Sequence, residues 1–437
     1  MSSFDDAPSF AIALIQEDPA FADLNRVVLV RDLRGRVRIV LEPSGGRSGP
    51  DISTLEHRLG QYLGRWFHGP ILSTGGSPQD ARAARTLLEL AVPWVGAREV
   101  TNPETGERGV VASSWRLLSR RLSKDAWLSS GPASPPWPLE TGNPAIVAFH
   151  SFKGGVGRST TLASVATLLA ERGKRVLCID LDLESPGLDA VLGAQPGRGS
   201  LDLLLEHVVT GQFDAADAII RMSVHGQDFD LLPAGVVDRS FAEKLARLDY
   251  TVAGVEVGNK AQSPVAVALT ALLGRLRGLS NPDYILLDLR SGLSDLAGIS
   301  LVMVAHVDVV VSRSGRQGET GLGVVLPLLR ERRPPREQRL IIVHALGPLP
   351  YVGAAMEAER NLVRAAAWNL LYTGELDAPA LDDPTAMHHP WSIAYFEEIQ
   401  RAESLGQMSV STLHNDGLLA LASRIEELCV AEEPEDE

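Results

Sequence analysis

Residues 150–160 read His-Ser-Phe-Lys-Gly-Gly-Val-Gly-Arg-Ser-Thr and follow the apolar run AIVAF at 145–149. Three glycines, Gly154, Gly155 and Gly157, permit a tight turn whose backbone N–H groups point inward at an anion. From Ser159 to about Arg172 the chain reads as a helix, so a helix N-terminus adds its partial positive charge at the same point. The Ser159 hydroxyl stands where a Mg²⁺ ligand belongs, and Thr160 can bond a further phosphate oxygen. Gly154, Gly155, Val156, Gly157, Arg158, Ser159 and Thr160 thus form a candidate cradle for a phosphate chain. The common loop of this kind places lysine after its last glycine. Here that position is Arg158, and a separate lysine, Lys153, opens the turn. The chain has only five lysines, so one that stands at this turn is informative. Arginine stays charged and can grip phosphate through two N–H groups, but its fork is bulkier than an ammonium. Two readings follow: a phosphate cation in a slower enzyme, which is the favoured one, or a site that binds nucleotide and has lost hydrolysis.

Carboxylates stand where such a loop needs them. The run RVLCIDL (175–181) ends in Asp180-Leu181-Asp182, and YILLDL (284–289) places Asp288 after four apolar residues. An aspartate at the end of a buried strand can hold Mg²⁺ through water. Strands that end at one sheet edge would bring these groups together, at the edge where open α/β sheets bind ligands. Arg290 follows Asp288 closely; a surface ion pair is the favoured reading and an approach to a γ-phosphate the alternative.

The elements that must position these groups are legible in outline. Apolar runs at 145–149, 175–181, 228–234 (DFDLLPA), 284–289, 307–312 (VDVVVS) and 339–346 (RLIIVHAL) alternate with helical segments. That is the βαβ pattern, and it predicts an α/β fold with a doubly wound, mostly parallel sheet. Ahead of it, RVVLVRDLRGRVRIVL (26–41) reads as a β-hairpin, with helices at 53–67 and 79–90. Segment 109–129 reads as a short strand and an Arg-rich helix. Residues 1–130 are therefore expected to form a small α+β accessory domain. Segment 129–144 holds five prolines with Gly and Ser, so 131–142 is read as a linker. Residues 143–373 form the α/β domain, and 374–437 a helical extension with helices near 391–405 and 415–430 and the acidic tail AEEPEDE.

The string KGGVGRSTT resembles KGGVGKTT, the deviant Walker A loop of the ParA/MinD family of P-loop ATPases (the SIMIBI class). Its arginine is similar to that of a KGGVGR-variant group. The resemblance covers roughly residues 143–373. It implies ATP and Mg²⁺ as cofactors and ATPase activity. It also implies a homodimer closed around nucleotide, in which Lys153 reaches the partner's phosphates. By position it gives catalytic roles to Lys153, Arg158 and Asp182, the last orienting water. It gives Mg²⁺ to Ser159, Asp180 and Asp288, and a switch I loop to Glu184–Asp189. LLPAG (231–235) and the polar loop within 307–323 resemble further family segments. His344-Ala345 stands where the family usually reads the base with asparagine. The implied function is an ATP-dependent dimerisation switch. It hydrolyses ATP slowly to control a partner protein in a bacterial regulatory or antiviral defence system. The alternatives are a DNA-partitioning ATPase and a nucleotide-binding scaffold.

Composition bounds the rest. Acidic residues exceed basic ones, 55 to 41, for a net charge of −14 over 437 residues. This argues against a surface that coats nucleic acid or anionic membrane, while a local basic patch such as RERRPPREQR (330–339) is read mainly as a solvated connection. Arg116, Arg120, Arg121 and Lys124 form a second basic stripe, expected to be solvated or partner-facing. Two cysteines, Cys178 and Cys429, exclude a disulfide scaffold and a cysteine-ligated metal. The ten histidines show no ligand spacing, and His388-His389 reads as a turn. Trp66, Trp115 and Trp127 are expected in the first domain's core. The start, MSSFDDAPSF, has no basic segment ahead of an apolar run, and no run of about 18 apolar residues exists. A cytoplasmic protein is expected. A membrane-binding C-terminal helix is disfavoured by the acidic tail, and a tyrosine-kinase reading by a last tyrosine at Tyr395. An unidentified protein partner is expected at the N-terminal domain or the C-terminal helices.

Overall fold

The computed structural model describes residues 3–32, 34–44, 52–94, 96–119, 125–128, 135–249, 255–257, 260–332, 339–347, 354–394, 397–398 and 402–430. Two compact units make up the chain, Met1–Leu122 and Ser123–Glu437. Arg120, Arg121, Lys124, Tyr395, residues 333–338 of the arginine run and the tail 431–437 lie outside the described residues.

In the first unit the elements run α1 (Asp6–Gln16), β1 (Leu24–Arg31), β2 (Val37–Pro43), α2 (Ile52–Leu63), β3 (Leu72–Ser73), α3 (Pro78–Leu90), β4 (Val92–Pro93), β5 (Glu99–Thr101), β6 (Arg108–Val110) and β7 (Trp115–Ser119). The sheet order is β3-β2-β1-β7-β4. The expected hairpin is present: β1 and β2 pair antiparallel, Val28 opposite Val40. Val27 and Leu29 face α1 and α2, packing with Ile12, Leu55, Leu59 and Trp115. Val28 and Val30 face α3, packing with Ala84 and Leu88. Burial on both faces explains why β1 reads RVVLV without alternation. Where an Arg-rich helix was expected, Trp115–Ser119 is instead a strand that pairs parallel with β1, Val27 opposite Trp115. Core burial of Trp115 and the ladder offered by β1 override the helical spacing of the arginines.

The second unit opens with the four-residue helix α4 (Asp125–Leu128). It continues with β8 (Ala145–His150), α5 (Arg158–Glu171), β9 (Val176–Leu181), α6 (Leu188–Leu192), α7 (Ser200–Thr210), β10 (Ile220–Val224), β11 (Gln227–Leu232) and α8 (Arg239–Asp249). The hairpin β12 (Val255–Val257) and β13 (Lys260–Gln262) follows, then α9 (Pro264–Ser280), β14 (Tyr284–Leu289), α10 (Asp295–Ile299), β15 (Val307–Ser312), α11 (Arg316–Arg332), β16 (Leu340–Gly347), α12 (Ala354–Tyr372) and β17 (Trp391–Ala394). The eight-stranded sheet has the order β10-β11-β9-β14-β8-β15-β16-β17. Only the edge pair β10–β11 is antiparallel; the other pairs are parallel, so the α/β fold is as expected. β8, β9, β14 and β15 are buried at every residue, which is why each reads as an unbroken apolar run.

Three readings change. Trp391–Ala394 is a strand paired with β16, not the start of a helix, because β16 leaves a parallel edge that this short run closes. The C-terminal helix Asp416–Leu428 lies over α5, sharing a core with it through Leu418, Leu421 and Ile425. The segment after 373 is therefore part of the second unit and not an extension. Trp127 belongs to the second unit's core and not to the first domain's. His388 and His389 do lie in a turn. No helix among the described residues is long and apolar enough to cross a membrane.

Candidate functional site

The glycine turn sits at the middle of the sheet's carboxyl edge. β8 lies between β14 and β15, so the loop Ser151–Gly157 leaves the sheet beside the end of β14. Gly155 and Gly157 have φ of +70° and +83°, left-handed values that a side chain would strain. α5 starts directly after Gly157, with no acidic residue in its first turn to oppose an anion. Leu162 to Leu169 are all buried, because α5 is covered by the sheet on one side and by the C-terminal helix on the other. Burial on both sides follows from that position, and the buried Ser164 and Thr167 return their hydroxyls to the Thr160 and Ala163 carbonyls.

Register brings the carboxylates in. Phe149, Asp288 and Asp180 occupy matching positions on β8, β14 and β9. Arg158 is 8% exposed and lies against two of the acids. Its Nε donates to Asp288 Oδ1 at 2.6 Å, and a terminal nitrogen donates to Asp182 Oδ2 at 2.7 Å. Burial disfavours the guanidinium's charge, but Asp288 and Asp182 hold its pKa above the ordinary arginine value. Burial pushes Asp288 above the usual carboxylate range, against the pull of Arg158. The second oxygen, Asp288 Oδ2, is buried and has no hydrogen-bond partner among the described residues.

Asp180 is tied to the loop that follows it. Its Oδ1 accepts the Asp182 N–H at 2.9 Å, and its Oδ2 accepts the N–H groups of Gly187 and Leu188 at 3.2 and 3.1 Å. Burial and then the neighbouring Asp288 raise its pKa, opposed by these three donors. The carboxylate anchors the loop that runs into α6. Asp182 accepts from the Ser185 N–H and hydroxyl, each at 3.2 Å, and so joins the same loop to Arg158. No group of three His, Cys, Asp or Glu side chains among the described residues is arranged to hold a metal.

The turn after β14 is tied to the phosphate loop. Gly292 donates its N–H to the Ser151 carbonyl at 3.0 Å. His150 Nε2 lies 2.9 Å from the Gly292 carbonyl and donates to it. His150 is fully buried; burial first, then the Arg158 charge, bring its pKa down to about 4, so the ring is neutral. The sequence marks this residue only as a histidine that closes an otherwise apolar strand. Arg290 pairs with Glu184, the ion pair favoured from sequence.

Lys153 is exposed and makes no ion pair among the described residues. It shares with Phe152, Val156, Ser312, Arg313 and Arg316 the lining of a cavity of about 240 Å³ beside the loop. At the expected base side, His344 is buried, 3.5 Å from the Glu359 carboxylate. Arg330 of the arginine run pairs with Glu375 at 2.7 Å.

A glycine loop between a buried parallel strand and a helix, with strand-end aspartates beside it, defines a P-loop nucleotide-binding unit. Residues 144–333 match the family model described as an AAA domain. The chain is 35% identical over 102 residues to an uncharacterized ATP-binding protein of Methanocaldococcus jannaschii, covering 20% of this chain and 37% of that one. It is 28% identical over 255 residues to the chromosome-partitioning ATPase Soj of Thermus thermophilus, covering 56% of this chain and 89% of Soj. A ParA family ATPase structure from Chlorobium tepidum superposes with a TM-score of 0.43 at 17% identity, covering 67% of this chain and 100% of that one. The chain spans 37% and 52% of the lengths of the first curated relatives it matches. In its loop motif and its relatives, the chain is similar to the ParA/MinD-type P-loop ATPases.

Proposed function

We propose that this protein is a Mg²⁺-dependent ATPase that works as a dimerisation switch, closing two copies around ATP and reopening after slow hydrolysis. The observation that carries this reading is the meeting of Asp182 and Asp288 on the buried Arg158 at the mouth of the glycine loop. Cation and carboxylates are in place, and each occupies the other. A triphosphate competes for the guanidinium. When Arg158 turns to phosphate oxygens, Asp182 and Asp288 are released together. The loop N–H groups and the start of α5 hold the phosphate chain. Asp182 then orients the attacking water, and Lys153 reaches the nucleotide of the second copy. Two charge-assisted bonds are surrendered before chemistry, which makes turnover slow.

The donor set fits Mg²⁺. This ion keeps most of its waters and takes one or two protein ligands plus phosphate oxygens. Ser159 and the orphaned Asp288 Oδ2 supply that number. Bound there, Mg²⁺ would neutralise charge on the transferring phosphoryl group. The output is conformational, read by a partner protein in a regulatory or defence system.

Phosphate release by the wild type is expected above an Asp182→Ala baseline, with Arg158→Lys faster than wild type. A wild type that runs at the Asp182→Ala baseline would leave a nucleotide-binding scaffold. Mass measurement with and without ATP tests the dimer, and equal dimerisation of Lys153→Ala removes the cross-subunit role. Assays with ATP and GTP side by side settle the base. ATP-dependent, salt-sensitive DNA binding would move the assignment to partitioning, the role in the name of the Soj relative.

A further inference from the structure

Trp127 lies on α4, the first helix after the N-terminal unit, yet it is buried inside the nucleotide-binding unit, 8% exposed. Its indole Nε1 donates to the Ser294 carbonyl at 2.6 Å. Ser294 is the N-cap of α10: its hydroxyl accepts the Ala297 N–H at 3.2 Å, and its carbonyl also accepts the Gly298 N–H at 3.1 Å. The Trp127 ring meets the His150 ring with centroids 5.8 Å apart and planes at 53°. Gly298 is what lets the indole in. A Cβ at that position would sit 2.5 Å from Nε1 and 2.7 Å from Cδ1, closer than real side chains approach.

These contacts close a ring. His150 holds Gly292, two residues along the chain stands Ser294, Trp127 holds Ser294, and Trp127 touches His150. Inside the ring is the turn that follows Asp288, the carboxylate released when Arg158 engages phosphate in the reading above. A displacement at the end of β14 that reaches Gly292 or Ser294 must therefore move the indole.

We infer that Trp127 is a positioning residue for the turn after Asp288, and that it couples the nucleotide site to the segment that joins the two units. The inference rests on the proposed nucleotide site. Trp127 acts through Ser294 and His150. An indole suits the task because one edge donates a hydrogen bond to the turn while its face packs in apolar surroundings.

The test uses the full chain labelled with 5-fluorotryptophan, with the Trp127 resonance assigned by its absence from Trp127→Phe. Calorimetry on the same sample with Mg²⁺ and a non-hydrolysable ATP analogue establishes binding. The Trp127 line is expected to shift on binding more than those of the other six tryptophans. Heat of binding with an unmoved Trp127 line overturns the inference and leaves the nucleotide site standing. Absence of heat overturns the site and the inference together.

Two variants add an independent readout. Trp127→Phe keeps the ring and deletes the donor; Gly298→Ala favours helix by propensity but evicts the indole. Both are expected to lower kcat about 10-fold, the equivalent of one hydrogen bond, with KM within about 3-fold of wild type. An unchanged kcat in both, or parallel changes in KM and melting temperature without a change in kcat, would show a role in packing alone.

Discussion

The two units treat charge in opposite ways. Among the described residues of the first unit, only Ser73 and Asn102 are buried polar side chains. Its charges pair at half-exposed positions, as in Arg58 with Asp18 at 2.6 Å and Arg36 with Asp32 at 2.8 Å. The second unit buries Arg158, Asp180, Asp182 and Asp288 within one sheet edge, and His150 beside them. Ions taken out of water carry a desolvation penalty that close pairing only partly offsets. A fold keeps such a cluster where chemistry or binding requires it. The first unit keeps its charges near the surface, whereas the second buries them beside the glycine loop.

The sharpest way to break this comparison is Arg158→Ala. It leaves Asp182 and Asp288 buried and uncompensated, and a loss of about 4 kcal/mol is expected in urea unfolding at pH 7. A loss below about 1 kcal/mol would mean that the charges are solvated and the contrast is void.

The next effect is acid sensitivity from His150. An unfolded chain takes up its proton near pH 6.5, whereas the buried ring resists until about pH 4. The unfolded state therefore binds the extra proton across this window. Stability from this group is complete above pH 6.5 and is lost as pH falls towards 4, by about 3 kcal/mol. His150→Gln keeps a donor for the Gly292 carbonyl and has nothing to titrate. The gap between the two chains should change by that amount between pH 7 and pH 4; a constant gap refutes the burial of a neutral ring.

Smaller effects belong to the first unit. Ile39→Val removes one methylene from a fully buried site and should lower stability by about 1 kcal/mol. Arg58→Ala removes the pairs with Asp18 and Glu104 but should lower it by only about 0.5 kcal/mol. If the arginine outweighs the methylene in parallel denaturation curves, the first unit too depends on its charges.

How far these features could be read in advance differs by element. β8, β14 and β15 were legible because burial on both faces leaves only apolar side chains. The glycine loop was legible because positive φ, close approach to an anion and a helix start each restrict residue type. Trp115–Ser119 and Trp391–Ala394 were not, since a short strand takes its identity from the neighbour that it pairs with.

The order of residues in this chain was enough to set the class of fold, the phosphate loop and the acids that end the neighbouring strands, because backbone geometry and burial constrain those positions locally. Which of the acids would meet Arg158, that Asp180 would serve a loop, and that Trp127 would reach from the joining segment to Ser294 were decided only when the strands took their places side by side. The contacts of Arg158 with Asp288 and of Trp127 with Ser294 join residues more than a hundred positions apart, and the others depend on the same register and close packing, which no local stretch of the chain records.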